Sequence, residues 1–475
     1  MKSAKMNFAV NYVKNVAITM ALLGWLISCA APAATAQVVG WAVGEKGTIL
    51  HSTDGKGQTW KEETLANVGV TLHAVTSFDG KKAWAVGDAP ATDKKDPMKK
   101  TGPGTLLYYD GTNWAAQGKF LDEKGKPFVP NVNFNAVFAL DNSHVWIVGD
   151  ALTILYYNGK NWQKQPVAIK PPPNLTGVFF TEKAGVSYGW AVGGNGIILH
   201  YNGKKWTKAI GCPDLIQKTD FTSISGYGDV EMTHVVAVGK LGIWRSDGAT
   251  DGDNKWSDKT TQLGNAGQLT VVQAFADNNK WIGQAATEPN VFQWNGKKWT
   301  GRPTTAKNQF SVYGISLSPD GKNVWAAGEG GNIAYLENAT DPDAKWQVQA
   351  PKPAQQLNGI VIRPAPKQQI QLEQSASPDS GVVDVNYVSV TGSGFPKGNI
   401  NAANVVIELA GECHARAWAT TSAVSIVSGS GDSQLVSFQL PAGLDPGQYF
   451  IRISDSEEGD ANFESSNCSE VNVVQ

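Results

Sequence analysis

One tryptophan-marked motif recurs along most of this chain, and it constrains the fold more than any other feature. The motif reads apolar-Trp-Ala-Val-Gly, then Gly-x-Ile-Leu-x-Tyr, then Asn/Asp-Gly and a closing Trp. Its first marker stands at positions 41, 84, 146, 190, 236, 281 and 325, with Val at 236 in place of Trp. Of the 17 tryptophans, 13 are motif residues. Seven divergent copies of one unit indicate a repeat architecture.

Each copy predicts four short strands. An alternating segment such as residues 72–78 precedes the Trp-Ala-Val strand, the Ile-Leu-Tyr strand follows, and a last strand starts at the closing Trp. Asn/Asp-Gly dipeptides join the third and fourth strands and supply the positive φ of a tight hairpin. In the seventh copy, Glu337-Asn338 takes the place of this dipeptide. Four strands per period of about 40–45 residues are typical of a β-propeller, so the fold class is all-β and residues 37–363 are predicted to form a seven-bladed β-propeller.

The closure of the ring can also be predicted. The first copy begins directly at Val38 and lacks its leading strand. Residues 357–362 (Leu-Asn-Gly-Ile-Val-Ile) resemble the leading strand at 175–180 (Leu-Thr-Gly-Val-Phe-Phe). We therefore expect residues 357–362 to complete the first blade, which removes the exposed sheet edge of an open array.

The first 36 residues are predicted to be a signal peptide. Lys2, Lys5 and Lys14 accompany a 12-residue apolar run at 16–27, which is too short for a comfortable membrane span. Leu-Ile-Ser-Cys at 26–29 resembles a lipobox, which would leave a lipidated Cys29, whereas Ala-Thr-Ala at 34–36 suits ordinary signal peptidase. Both alternatives predict an exported protein that is periplasmic or at the cell surface. Lipidation at Cys29 would make it an outer-membrane lipoprotein, and this lipid anchor would be its only contact with the membrane.

A second domain follows the repeats. Residues 364–381 are rich in Pro, Gln and Ser and are predicted to be a linker. Residues 382–475 are predicted to form a small all-β domain, whose phrases at 391–396 (Thr-Gly-Ser-Gly-Phe-Pro) and 446–451 (Pro-Gly-Gln-Tyr-Phe-Ile) resemble immunoglobulin-like IPT/TIG domains. Cys413 and Cys468 both lie here and could form a disulfide in an oxidising compartment.

The repeat itself resembles a known propeller group. Residues 40–55, with Ser52, Asp54 and the closing Trp60, resemble the BNR/Asp-box propellers, and especially the photosystem II assembly/stability-factor-like group. The resemblance implies a propeller fold and, for the assembly-factor members, binding of a membrane-protein partner through an arginine-rich patch. The propeller region of this chain contains three arginines, at 245, 302 and 363.

No catalytic residue or cofactor follows from the sequence. A sialidase needs an arginine triad, a Tyr nucleophile with a Glu, and an acid/base Asp, and the arginines at 245, 302 and 363 do not stand in that pattern. His51 and His200 occupy one repeat position, which indicates packing. The acidic turn at 247–254 lacks the spacing of a recognised calcium loop, so no metal site is predicted.

The insertions between motif elements are the candidate binding elements. Residues 88–104, 117–132 and 207–219 are longer than their counterparts, and in a four-stranded meander all three connections emerge on one face. Long loops on a rigid scaffold commonly carry binding. The first insertion contributes the candidate binding residues Lys94, Lys95, Lys99 and Lys100. The net charge of −2 gives no indication of a nucleic-acid partner.

The leading interpretation is a non-catalytic exported binding or assembly scaffold that recognises a protein or glycan partner through this loop-rich rim. One alternative is a propeller glycosidase (sialidase-like) or lyase, which a carboxylate pair or a Tyr/Glu pair at the channel mouth would favour. The other is a structural subunit of a surface or envelope complex, which large flat contacts with other chains would favour.

Overall fold

The computed structural model describes most of the chain after residue 36. The described residues are 37–474, apart from 94–95, 101, 210–218, 229–232, 241, 248–255, 264–266, 286–287, 306–308, 367, 383–386, 394–404, 414–416, 418, 424, 429–432, 442–443 and 455–462. The predicted signal peptide, with Cys29, lies outside them. The described residues are all β apart from short 3-10 turns, as the sequence predicted. Within these ranges, no helix is both long enough and apolar enough to cross a membrane.

The repeat region folds into sheets that we call blades and number by motif copy. In chain order, the strands of blades 1 to 4 are β1 (Val38–Gly44), β2 (Ile49–Gly55), β3 (Lys61–Glu62), β4 (Leu72–Ser77), β5 (Ala83–Gly87), β6 (Ala91–Asp93), β7 (Asp96–Lys100), β8 (Thr105–Tyr109), β9 (Trp114–Ala116), β10 (Phe120–Leu121), β11 (Pro127–Phe128), β12 (Phe134–Ala139), β13 (Val145–Gly149), β14 (Thr153–Tyr157), β15 (Trp162–Lys164), β16 (Leu175–Lys183), β17 (Val186–Gly193), β18 (Ile198–Tyr201) and β19 (Trp206–Lys208).

The remaining strands of the ring are β20 (Phe221–Gly228), β21 (Thr233–Gly239), β22 (Gly242–Asp247), β23 (Trp256–Asp258), β24 (Leu269–Ala276), β25 (Asn279–Gln284), β26 (Val291–Trp294), β27 (Trp299–Gly301), β28 (Val312–Leu317), β29 (Val324–Gly328), β30 (Ile333–Leu336), β31 (Trp346–Gln349) and β32 (Leu357–Pro364). The 3-10 turns are Glu45–Gly47, Gly194–Gly196, Thr260–Leu263 and Glu329–Gly331.

These sheets form a closed ring, which is a β-propeller. Over the described residues the ring has seven blades, whose inner strands are β32, β4, β12, β16, β20, β24 and β28. Each inner strand contacts the inner strand of the next blade, and β28 contacts β32, which contacts β4. In blade 1, β32 pairs antiparallel with β1, from Val38 opposite Pro364 to Gly44 opposite Leu357. The predicted ring closure is therefore confirmed.

The motif tryptophans fill the space between blades. The side chains of Trp41, Trp84 and Trp190 on the second strands are completely or almost completely buried. Trp41 packs in one apolar cluster with Leu72 and Leu107 of blade 2, so the core is shared by neighbouring blades. Because a buried tryptophan removes more apolar surface from water than any other residue, these repeated side chains account for much of the ring's stability.

In six of the seven blades the second strand ends in a glycine that a close backbone approach requires; in blade 6 this strand, β25, ends at Gln284. A Cβ atom on Gly44 would lie 1.9 Å from the carbonyl oxygen of Gln356, and one on Gly87 would lie 2.2 Å from that of Thr71. The same approach, at 1.9 to 2.3 Å, occurs at Gly149, Gly193, Gly239 and Gly328. The carbonyl belongs to the residue before the inner strand of the same blade. No side chain larger than hydrogen fits there, which explains the last letter of the motif.

In blade 1, the Asp54 carboxylate organises the turn at residues 54–59, and this turn also connects two blades. The Asp54 carboxylate accepts hydrogen bonds from the backbone N–H groups of Lys56 (2.8 Å), Gly57 (2.7 Å) and Thr59 (2.6 Å). Burial raises the pKa of Asp54, but these hydrogen bonds outweigh it, and the net pKa lies below the usual value. Trp325 Nε1 of blade 7 donates to the Gly57 carbonyl oxygen at 2.7 Å.

The connection between blades 2 and 3 differs from the expected rim loop. Its strands β10 and β11 form a hairpin, and β10 pairs in parallel with the outer strand β15 of blade 3. Trp162 Nε1 donates to Gln117 Oε1 at 3.1 Å, which fixes the start of the connection. The physical reason is that β15 would otherwise present an open sheet edge, which the hairpin covers.

The chain after the ring forms further strands with their own core. They are β33 (Gln368–Leu372), β34 (Ser375–Val382), β35 (Tyr387–Ser393), β36 (Val406–Ala410), β37 (Ala419–Ser422), β38 (Ser425–Ser428), β39 (Gln434–Gln439), β40 (Gly447–Ser454), β41 (Phe463–Ser465) and β42 (Ser469–Val474). Val390, Ile407 and Phe438 belong to one buried cluster. A disulfide joins Cys413 to Cys468. An immunoglobulin-like topology stays a prediction.

Candidate functional site

The two faces of the ring carry different connections. Because each blade is an antiparallel meander, the loops between second and third strands and the loops between blades emerge together; we call this side the insertion face, since residues 88–104 lie on it. The first-to-second and third-to-fourth strand turns, such as Asp79–Lys82 and Asp110–Asn113, emerge on the opposite side, which we call the far face. The inner strands begin at the insertion face and end at the far face.

A cavity of about 480 Å³ forms the mouth of the central channel on the insertion face. The second residue of every inner strand lines it: His73, Asn135, Thr176, Thr222, Thr270, Tyr313 and Asn358. All seven are polar or carry a polar group, although their residue types differ. The mouth is therefore a polar ring contributed by all seven blades.

Five members of the ring are occupied in joining the blades. Each side chain donates a hydrogen bond to the carbonyl oxygen of the residue that begins the next inner strand, and we call these the junction bonds. They are Asn135 to Leu175 (2.8 Å), Thr176 to Phe221 (2.7 Å), Thr222 to Leu269 (2.9 Å), Thr270 to Val312, and Asn358 to Leu72 (2.9 Å). This part of the mouth is thus a structural belt.

The other two members, His73 and Tyr313, do not make this bond. His73 Nε2 lies 2.9 Å from Asp88 Oδ1, and both side chains are about one third exposed. Asp88 begins the insertion of residues 88–104, and the next residue, Ala89, donates its N–H to Asn133 Oδ1 at 3.0 Å. The base of this insertion is therefore fixed to the inner strand of blade 2 and to the start of blade 3.

The insertion itself forms a separate hairpin, which we call the insertion hairpin (residues 88–104). Its strands β6 and β7 pair with each other, Ala91 opposite Lys100 and Asp93 opposite Asp96, in a two-stranded sheet separate from that of blade 2. Lys99 and Lys100 lie on β7. Lys94 and Lys95 lie outside the described residues, as does most of the insertion at 207–219.

The mouth provides hydrogen-bonding groups but few charges. Of its described lining residues, Asp150 is the one carboxylate, and Asn135 Nδ2 donates to it at 2.9 Å. A carboxylate pair of the kind that glycoside hydrolysis uses is not formed by these residues. Within the described ranges, no group of three His, Cys, Asp or Glu residues could hold a metal ion; the acidic turn at 248–254 lies outside them.

The two histidines at the shared repeat position lie in the core. His51 stacks on Trp41 with ring centroids 4.8 Å apart, and its Nδ1 lies 2.8 Å from Glu63 Oε1. His200 packs against Trp190 at 5.1 Å. Burial lowers the pKa of His200, because the charged imidazolium would be poorly solvated there.

The three arginines of the propeller are not brought together. Arg245 on β22 pairs with Asp277 at 2.9 Å. Arg302, just after β27, donates to the Asp341 carbonyl oxygen. Arg363, on β32, lies at the far end of the channel. No arginine triad is therefore formed.

Sequence reasoning did not identify the ring of second inner-strand residues. The available signal was positional, because each of these residues follows the apolar residue that begins the inner strand. His, Asn, Thr and Tyr share no obvious chemistry, so an identity-based comparison of repeats does not reveal the ring.

Among known proteins, the chain is similar to solved structures at low sequence identity. No protein-family model matches the chain, and no curated protein matches it. The chain is similar to the solved structure "YCF48 bound to D1 peptide", with 17% identity, a TM-score of 0.41, and coverage of 58% of this chain and 80% of that one. It is also similar to the Cps50 (Swd1) β-propeller domain of Myceliophteria thermophila, with 10% identity, a TM-score of 0.43, and coverage of 68% and 93%. A third similar structure is YCF48 from Cyanidioschyzon merolae, with 16% identity, a TM-score of 0.39, and coverage of 61% of this chain and 88% of that one.

Proposed function

We propose that this protein is an exported, non-catalytic binding or assembly scaffold that recognises a protein or glycan partner on the insertion face. The observation that carries the proposal is the anchoring of the insertion hairpin. The contacts of Asp88 with His73 and of Ala89 with Asn133 fix its base at the channel mouth. A rigid ring that presents a projecting hairpin is a common arrangement for binding.

The charge of the hairpin indicates the kind of partner. Lys94, Lys95, Lys99 and Lys100 place four cationic side chains in this one insertion, which also carries Asp88, Asp93 and Asp96 and so has a net charge of +1. Such a cluster attracts an acidic surface and accelerates encounter with it, and this attraction weakens as salt screens the charges. An acidic patch on a protein therefore suits the insertion face best, and an anionic glycan is the second possibility.

The test compares two variants with the same number of lysines removed. The first changes Lys94, Lys95, Lys99 and Lys100 to Ser. The matched control changes four exposed far-face lysines to Ser, at 160, 204, 205 and 297. Each tagged protein is used to capture partners from its native envelope at about 50 and 300 mM salt. We expect the first variant alone to lose its partner, and the wild-type complex to weaken at high salt.

Equal capture by both variants would refute the proposed binding face. Partner recovery that survives protease treatment of the envelope but is lost after glycan oxidation would assign a glycan. Recovery that is lost on protease treatment would assign a protein.

Export is the second part of the proposal. The disulfide between Cys413 and Cys468 supports it, because disulfides persist in oxidising compartments. Changing Cys29 to Ala and fractionating the cells tests the anchor. We expect the variant to move from the membrane to the soluble extracytoplasmic fraction. A Cys29→Ala variant that stays membrane-attached would exclude this cysteine as the anchor.

A further inference from the structure

The far end of the central channel contains one charged side chain. There the inner strands enclose a cavity of about 350 Å³, which adjoins the mouth on the insertion face and shares lining residues such as Ser223 and Ile224 with it. Most of its described lining residues are apolar or carry hydroxyl groups, and they include no Asp or Glu. The charged residue among them is Arg363, near the end of β32. The cavity is therefore positively charged and has no internal counter-ion among these residues.

Arg363 is held in place by backbone carbonyl groups. Its Nε donates to the Ser77 carbonyl oxygen at 2.6 Å, and its Nη1 donates to the Ile362 carbonyl oxygen at 2.9 Å. Within the described ranges, no carboxylate lies within 4.0 Å of the guanidinium. A guanidinium has five N–H groups, so three remain for a ligand. Burial lowers the pKa of Arg363 to about 10, which leaves it protonated at neutral pH.

Three of the buried hydroxyl groups that line the same cavity come from one position of the inner strands. Thr76, Ser225 and Ser316 are the fifth residues of their inner strands, and each is at most 6% exposed. Each hydroxyl oxygen accepts a backbone N–H from the next blade: Ala139, Ala274 and Ile362, respectively. Their own O–H groups can therefore donate to a molecule in the channel. Blades 7 and 2, which carry Ser316 and Thr76, flank Arg363.

Most of the remaining wall is apolar, although Ser223, Gln273 and Ser318 also line it. Phe138 and Phe179 line the cavity with their rings 5.5 Å apart in an edge-to-face arrangement, beside Val137 and Val178. A small inorganic anion would leave this surface unused. An anion with an apolar body would contact both the guanidinium and the rings, and one negative charge balances one arginine.

We propose that the far end of the channel binds a small organic monocarboxylate. The carboxylate accepts hydrogen bonds from Arg363 and from the hydroxyl of Thr76 or Ser316, and the apolar body packs against Phe138 and Phe179. A guanidinium matches a carboxylate in bidentate geometry, and the low-dielectric channel strengthens the pair. This site is independent of the partner surface proposed on the insertion face.

The experiment uses the full-length protein, with benzoate as the probe and calorimetric titration as the readout. Benzamide is the neutral control of the same shape, and inorganic phosphate tests for a general anion site. We expect saturable binding of benzoate at one site, with benzamide at least tenfold weaker. Arg363→Gln should weaken benzoate binding about 10- to 100-fold, as expected for the loss of a charged hydrogen-bonding partner. Lys298→Gln, which removes an exposed far-face charge, should leave binding unchanged.

Several results would overturn the proposal: no benzoate binding to the wild-type protein, equal binding of benzoate and benzamide, binding of phosphate alone, or unchanged affinity in Arg363→Gln. Arg363 also bridges blades 1 and 2, so its removal could prevent folding. Arg363→Lys keeps the charge and should retain part of the affinity. Together with the wild-type comparison of benzoate and benzamide, it decides the question if Arg363→Gln does not fold.

Discussion

Replacing Thr222 by valine removes one junction bond while nearly preserving the shape of the side chain. Thr222 Oγ1 lies 2.9 Å from the carbonyl oxygen of Leu269 in the next blade and 3.2 Å from that of Val238 in its own blade. Valine keeps the β-branch that suits a strand but has no hydroxyl. The substitution therefore isolates the contribution of the hydroxyl to the joining of blades 5 and 6.

The expected cost follows from the surroundings of the bond. A typical hydrogen bond contributes a net of about 0.5–1.5 kcal/mol, and a buried group left without its partner adds a desolvation penalty. Thr222 is half-buried, so the penalty is partial. We expect the Thr222→Val variant to lose about 1–2 kcal/mol in the free energy of unfolding. Thr300→Val on the exposed outer strand β27 is the matched control and should change it by less than about 0.5 kcal/mol.

Urea unfolding of the full-length protein, followed by tryptophan fluorescence, measures both values. Of the 17 tryptophans, 15 lie between residues 37 and 363, so the signal reports chiefly on the ring. The two variants should share the wild-type dependence on urea, and only the midpoint of Thr222→Val should fall. If Thr222→Val is no less stable than Thr300→Val, the junction bonds do not hold the ring together and our reasoning is refuted.

Three further predictions concern His200, the Asp54 turn and the disulfide. His200 is buried as the neutral imidazole, and its pKa in the folded protein lies below the unfolded value of about 6.5. Below that pH the unfolded chain binds a proton that the folded protein does not, so the free energy of unfolding falls as the pH falls. His200→Tyr should therefore lose less stability than the wild type between pH 7 and 5 in urea titrations, and an identical pH dependence would contradict this. Asp54→Ala removes a carboxylate that accepts several backbone N–H groups and should cost about 1–2 kcal/mol of unfolding free energy at pH 7. Because the folded-state pKa of Asp54 lies below the usual value of 3.8, this difference should begin to shrink as the pH falls below 3.8 and should disappear only below the lower folded-state pKa; a difference that does not shrink in acid would argue against an ionised acceptor. Cys413→Ser removes a disulfide between residues 55 positions apart in the sequence. For a loop of this length, chain entropy predicts a loss of about 4 kcal/mol in the free energy of unfolding. Calorimetry should show this loss as a lower unfolding temperature of the C-terminal segment. An unchanged transition would refute it.

The repeat made the ring predictable because its most informative residues act locally. Each motif tryptophan and each Asn/Asp-Gly turn recurs at a fixed position of its own copy, so both can be recognised from the sequence of one copy. The closing strand at 357–362 was found by the same logic, as the one motif element missing from the first copy. Each of these features is visible within the residues of one copy, although the side chains then pack between blades.

The features that escaped prediction depend on two elements that are distant in sequence. Asn358 and Leu72 meet only because the ring closes, so nothing near either residue indicates their bond. The hairpin of β10 and β11 was expected to be a loop because its strands have two residues each, and its pairing partner β15 lies about 40 residues later. His73 occupies the inner-strand position that makes a junction bond in five other blades. Its partner Asp88 can be identified only once the strand register is known.

The pairing of β1 with β32 also fixes where the chain enters and leaves the ring. Val38 lies opposite Pro364, and the Ala365 N–H donates to the Gln37 carbonyl oxygen at 2.7 Å, so both exits lie side by side at the far face of blade 1. A lipid tether preceding Gln37 would therefore pull on the far face. The C-terminal segment leaves the ring at this same face, and the Arg363 end of the channel opens there too.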